Sequence, residues 1–126
     1  MTKLNKIYRC EVCGNIVEII HEGMGQLVCC GQPMSLIKEE IKEQIKEKHI
    51  PIIKENKNGI EIEVGKVPHP MEEKHFIEWI EISTEKGYSK KFLKPGEEPS
   101  ALFLTKAKNL RARAYCNLHG LWATKK

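Results

Sequence analysis

Near the end of the chain, Cys116-Asn-Leu-His119 puts a thiol and an imidazole within reach of one another. The other four cysteines already make a set, with Cys10 and Cys13 in a Cys-x2-Cys turn and Cys29 and Cys30 adjacent. Cys116 is therefore the odd thiol. Three more histidines, His49, His69 and His75, lie upstream in unusual local sequence. Thiolate and neutral imidazole are both metal ligands. Four thiolates in a tetrahedron suit zinc or iron, whereas a lone thiolate among imidazoles is the ligand set of a reactive centre.

The spacing of the first set constrains its shape without choosing iron over zinc. Neighbouring residues of an extended chain point to opposite sides. Cys29 and Cys30 can share an ion only if the backbone bends there, which predicts a distorted tetrahedron. In the second set, His69 is enclosed in Pro68-His69-Pro70, which restricts the chain on both sides. His75 starts an apolar strand, His49 precedes Pro51, and His119 pairs with Cys116. His21 lies in a Gly-rich turn and reads as a surface residue.

These ligands need elements to position them. In Leu110–Cys116, Leu110, Ala112, Ala114 and Cys116 fall on one strand face, with Arg111, Arg113 and Tyr115 on the other. The strand delivers Cys116 from its apolar face, and a short loop returns His119. Phe76–Ile82 is apolar on both faces, as a buried strand would be; Ile60–Val64 alternates strictly. Ile50–Ile53 and Ala101–Leu104 are further strands, separated by turns such as Asn56–Gly59 and Lys94-Pro-Gly96. About seven short strands predict a mainly β chain with an antiparallel sandwich of immunoglobulin-like size. Residues 1–37 form a separate unit with strands at Ile16–Ile20 and Leu27–Val28. It is too small to bury a sufficient core and needs a metal staple. Residues 38–48, with Ile41 and Ile45 one helical turn apart amid Lys/Glu pairs, read as a short exposed linker helix into a second domain, 38–126.

The 126 residues fit one ordinary domain or two small ones. Net charge is +4, but the 21 basic residues are interleaved with 17 acidic ones, all Glu. That is a mixed surface, not the one-sign stripe of a nucleic-acid binder. The N-terminus lacks the apolar core of a secretory signal. No apolar run approaches the ~20 residues needed to span a bilayer. A cytoplasmic setting is expected, where thiols stay reduced and clustered cysteines bind metal.

The ordered motifs Cys-x2-Cys, Cys-Cys, Glu47-Lys48-His49-Ile50-Pro51, His69-Pro70-Met71-Glu72-Glu73-Lys74-His75, Phe92-Leu93-Lys94-Pro95-Gly96 and Cys116-Asn117-Leu118-His119-Gly120 resemble desulfoferrodoxin, the two-iron class of superoxide reductase. The resemblance spans essentially the whole chain. It implies a desulforedoxin-like domain holding one iron through Cys10, Cys13, Cys29 and Cys30. It implies a second iron with His49, His69, His75 and His119 in a plane and Cys116 as axial thiolate, its sixth position open when reduced. The implied reaction is one-electron reduction of superoxide to hydrogen peroxide, with a rubredoxin-like donor and a homodimeric protein. Lys48 would steer the anion inward, and Glu47 would ligate the oxidised iron. Two other readings compete: a zinc-ribbon binding module fused to a sandwich, and a two-iron electron carrier without catalysis.

Overall fold

The computed structural model describes residues 1–42 and 49–124. The chain divides into two compact units, Met1–Lys38 and Glu39–Lys126. The described residues form strands and turns, and no helix among them is long and apolar enough to cross a membrane.

In the first unit, β1 (Ile7–Arg9) lies between β2 (Ile16–Glu18) and β5 (Ser35–Ile37) in an antiparallel sheet, and β3 (Val28–Cys29) pairs with β4 (Gln32–Pro33). Ile7, Cys10 and Ile19 are its buried apolar side chains. Three small anchors cannot offset the conformational entropy of 38 residues.

The second unit is a sandwich. One sheet runs β10 (Gly87–Phe92), β9 (Ile77–Thr84), β12 (Arg111–Cys116), β13 (Gly120–Ala123), β6 (Glu39–Glu40). The other runs β11 (Ser100–Phe103), β8 (Gly59–Val64), β7 (Pro51–Asn56). Ile60, Ile62 and Val64 of β8 meet Ile80 and Ile82 of β9 and Ala112 and Ala114 of β12 in one core, so the strict alternation read in Ile60–Val64 points as expected. The double-sided apolar pattern of β9 also has its reason. Its second face carries Trp79, stacked on Tyr115 at 4.6 Å, and Glu81, which bonds Trp79 Nε1 at 2.9 Å and Arg113 at 2.8 Å.

The expected linker helix gives way at its start. Glu39 and Glu40 form β6, parallel to Leu121 and Trp122. Arg111 Nη1 lies 2.7 Å from both carboxylate oxygens of Glu39, and Arg113 approaches at 3.5 Å. Two guanidinium contacts and a strand ladder outweigh the few tenths of a kcal/mol that exposed Lys/Glu helix pairs supply. The rest of that helix, residues 43–48, lies outside the described residues. Strand β10 carries no apolar alternation and was not foreseen; as an edge strand it is held through its backbone ladder to β9.

Candidate metal centres

At the first centre the chain must aim four sulfurs at one point. The Cys-x2-Cys turn closes through Gly14 N–H to Cys10 O at 2.9 Å, with Gly14 at φ +85°. The amide of Cys13 donates to Cys10 Sγ at 3.4 Å and that of Asn15 to Cys13 Sγ at 3.5 Å. The bend demanded between Cys29 and Cys30 is present. Cys30 has φ +54°, the left-handed region a side chain rarely adopts, and Gly31 follows at +78°. Sulfurs about 2.3 Å from a tetrahedral ion are about 3.8 Å apart. Here Cys13 and Cys29 are 3.6 Å apart and Cys29 and Cys30 3.9 Å, with no disulfide among them. Both of these distances match an edge of a metal tetrahedron, and all four sulfurs lie within 4.8 Å of one another.

The thiols ionise very differently. Donation from the Cys13 amide holds Cys10 down at about 6. Hydrogen bonds from the sulfurs of Cys13 and Cys29 push Cys30 up to about 12, and Cys29 is raised mainly by its bond with Cys13. A first thiolate resists a second in so small a volume, and a cation relieves that repulsion.

The second centre gathers at one end of the sandwich because of strand direction. His49 lies two residues before β7, and the turn after β8 carries His69, whose amide donates to Val64 O at 3.3 Å. The pairing of those two strands extends outward through Gly65 N–H to Ile50 O at 3.2 Å. In the opposite sheet, His75 enters β9, Cys116 ends β12, and the tight turn with Gly120 at φ +90° leads through His119 into β13. Antiparallel neighbours bring all these termini to the same edge.

The four imidazoles close a ring. Centroids are 4.5 Å apart for His49–His69, 4.8 Å for His69–His75, 5.1 Å for His75–His119 and 5.0 Å for His119–His49, every pair edge-on. Cys116 is fully buried, its Sγ 3.9 Å from His119 Nδ1. Ligand atoms of His49, His75, Cys116 and His119 lie within 4.8 Å of one another; His69 joins through its contacts with the rings of His49 and His75. His69 Nδ1 sits 2.7 Å from Pro70 O, which can only accept. The proton is therefore on Nδ1 and the Nε2 lone pair is left for a ligand role. His75 Nε2 is buried with no hydrogen-bond partner among the described residues. Such an atom costs about 1–3 kcal/mol unless something binds it. Three imidazole nitrogens and one sulfur within 4.8 Å of one another, with the His69 ring against two of those imidazoles, are a donor set for a transition metal.

The structure gathers eight of the nine cysteines and histidines singled out in the sequence into two groups of converging ligand atoms and sets His69 in ring contact with His49 and His75 of the second, while His21 is exposed. Glu47 and Lys48 lie outside the described residues. One neighbour was missed. Trp122 stacks on His49 at 4.6 Å with 18° between planes, and its Nε1–H donates to His119 O at 3.0 Å. Its position three residues past His119, beside a metal-binding motif, was the available signal.

Comparison with known proteins finds likeness over both units. Residues 41–125 match the Desulfoferrodoxin family and residues 2–37 match the Desulfoferrodoxin N-terminal domain. The chain is 56% identical over 117 residues to a desulfoferrodoxin of Nitratidesulfovibrio vulgaris, covering 93% of each chain. It is 52% identical over 122 residues to a desulfoferrodoxin homolog of Archaeoglobus fulgidus, covering 97% of this chain and 98% of the other. Its fold is similar to the crystal structure of the superoxide reductase from Treponema pallidum, with TM-score 0.79, 26% identity and coverage of 95% and 97%.

Proposed function

Since the chain belongs to the desulfoferrodoxin family, we propose that it is a superoxide reductase, converting superoxide, one electron and two protons into hydrogen peroxide without releasing dioxygen. The observation that carries this is the closed ring of four imidazoles beside a buried thiol. The two donor sets are consistent with two irons per chain. We assign Cys10, Cys13, Cys29 and Cys30 to one, within a desulforedoxin-like domain of residues 1–37. His49, His69, His75, His119 and Cys116 hold the other, within a catalytic domain of residues 38–126. Iron in the second set supplies the electron that superoxide takes.

The protein's own groups set the conditions. Four neutral imidazoles and one thiolate leave a divalent ion with net positive charge, which suits an anionic substrate and does not suit a neutral one. The Pro70 carbonyl keeps the His69 proton on Nδ1, so that ring stays a neutral ligand. The Trp122 indole covers one face of His49 and excludes water there. Lys48, next to His49 in sequence, adds positive potential that draws the substrate in. Glu47 would supply an oxygen ligand to an oxidised, harder metal ion held there. A rubredoxin-like protein returns the electron, the working form is a homodimer, and the cytoplasm is the compartment in which such thiols stay reduced.

The test is a product count. Pre-reduced, iron-loaded protein is mixed with superoxide, and peroxide and dioxygen are measured together. A reductase forms one peroxide for each superoxide consumed and no dioxygen. Dioxygen release would mark a dismutase. No superoxide consumption would leave an electron carrier, and zinc in the purified protein would favour the ribbon-like binding module.

A further inference from the structure

The ladder between β12 and β9 slips where both strands must deliver a ligand. Tyr115 opposes Trp79, but Cys116 opposes Ile77. Beyond the slip a single residue, Asn117, takes over the pairing. Its backbone N–H donates to Phe76 O at 3.2 Å, its Oδ1 accepts from Phe76 N–H at 2.9 Å, and its Nδ2 donates to Lys74 O at 3.0 Å. The two side-chain partners are the carbonyl of the peptide entering His75 and the amide of the peptide leaving it. The remaining backbone groups of His75 are also bonded: its N–H to Glu72 O at 3.1 Å and its carbonyl to Glu72 N–H at 2.9 Å. With both flanking peptides fixed, only side-chain torsions are left to move this imidazole.

We propose that the Asn117 carboxamide is a positioning residue, splinting His75 to the Cys116 turn so that imidazole and thiolate meet one ion at a fixed separation. This rests on His75 and Cys116 being ligands of the second centre. The chemistry of the side chain is specific. Phe76 N–H needs an acceptor and Lys74 O needs a donor, so a carboxamide satisfies both and a carboxylate only one. The bonds Asn117 makes to Phe76 and Lys74 all run to backbone groups, so it acts on His75 through the chain on either side of it. It does for a first-row metal site what outer hydrogen-bond partners commonly do, at a position directly after the ligand sulfur.

The experiment uses the full chain with its N-terminal centre as internal reference. Iron(II) affinity at each centre is measured by chelator competition for wild type, Asn117→Asp and His75→Ala, with the thiolate-to-iron(III) absorption band recorded after oxidation. Asn117→Asp is expected to weaken the second centre roughly 10- to 100-fold, as loss of an outer-shell partner does, and to shift its band, with the N-terminal centre unchanged. A merely structural role would lower the melting temperature of the metal-free protein without moving either readout. Second-centre affinity within about twofold of wild type and an unshifted band would overturn the proposal, because outer-shell support of a ligand is worth more than that. If Asn117→Asp does not fold, Asn117→Ser carries the same comparison. Unchanged affinity in His75→Ala would instead overturn the ligand assignment itself; loss there with no loss in Asn117→Asp overturns only the splint.

Discussion

Cys10 and Cys30 stand far apart in ionisation, at about 6 and about 12, although their sulfurs serve one cluster. The sign of the metal's pH dependence follows. Below pH about 6 the Cys10 thiol is protonated and metal must displace its proton; above it Cys10 is already a thiolate. Binding is therefore weaker in acid, and zinc added to metal-free protein should release one proton fewer from this cluster at pH 7.5 than at pH 5. Titration in weakly buffered solution with a pH indicator reads the count, with the second centre's share measured on a Cys10→Ser, Cys13→Ser protein and subtracted; an equal count at both values would contradict the assignment. At the other centre, Trp122→Leu removes both the stack on His49 and the bond to His119 O. We expect about tenfold weaker metal binding, with Trp122→Phe falling between; equal affinity in all three proteins would deny Trp122 a role. Residue chemistry was largely legible in the sequence, because ligand type and local spacing are local facts. The bend at Cys29-Cys30 was required by adjacency and is found at Cys30. Trp122 and Asn117 were not legible as supports, since their partners lie across strands or in a neighbouring ring.

At the level of elements, the outer face of β9 and β12 holds a nearly buried charge network. Glu81 accepts from Arg113 at 2.8 Å and from Trp79 at 2.9 Å, with Lys90 Nζ at 3.4 Å and also 4.9 Å from the Trp79 ring centroid. Glu81 and Arg113 are 3% and 7% exposed, which makes the loss of one partner costly. Glu81→Ala should destabilise the second unit by about 3 kcal/mol, since it leaves Arg113 without its close partner and with the longer contact to Glu39, and Glu81→Met with Arg113→Met by far less, since the buried pair is replaced whole. Urea unfolding checks both; equal losses would show that the pair itself, and not the stranded cation, was stabilising. The strands that could be foreseen were those with a buried face, such as Ile60–Val64 and Leu110–Cys116. β10 could not be, because an edge strand pairs through its backbone and its side chains carry no pattern. Glu39 was misread for a related reason: Lys/Glu periodicity resembles a helix until Arg111 and Arg113 are seen beside it, 72 and 74 residues away in sequence.

For the whole molecule, the proposed function requires an anion to be brought to one end of a sandwich. The net charge of +4 spread over interleaved residues gives little direction by itself, so local charge must do the steering. Lys48→Ala is expected to slow superoxide capture at low salt and to flatten its ionic-strength dependence, because steered rates near 10⁸–10⁹ M⁻¹s⁻¹ fall steeply as salt screens the field. Pulse-radiolysis rates across a salt series would show it, and unchanged rates at low salt would remove Lys48 from the mechanism. The most direct test joins site to reaction in one trace. Pre-reduced, iron-loaded protein is mixed with superoxide in a stopped-flow cell while the thiolate-to-iron(III) band of the second centre is followed. In wild type the band should rise as superoxide is consumed, and Cys116→Ser should show neither band nor consumption while its N-terminal iron absorbs as before. A band that persists in Cys116→Ser, or superoxide consumed with no band in wild type, would overturn the assignment of Cys116 to the reacting centre.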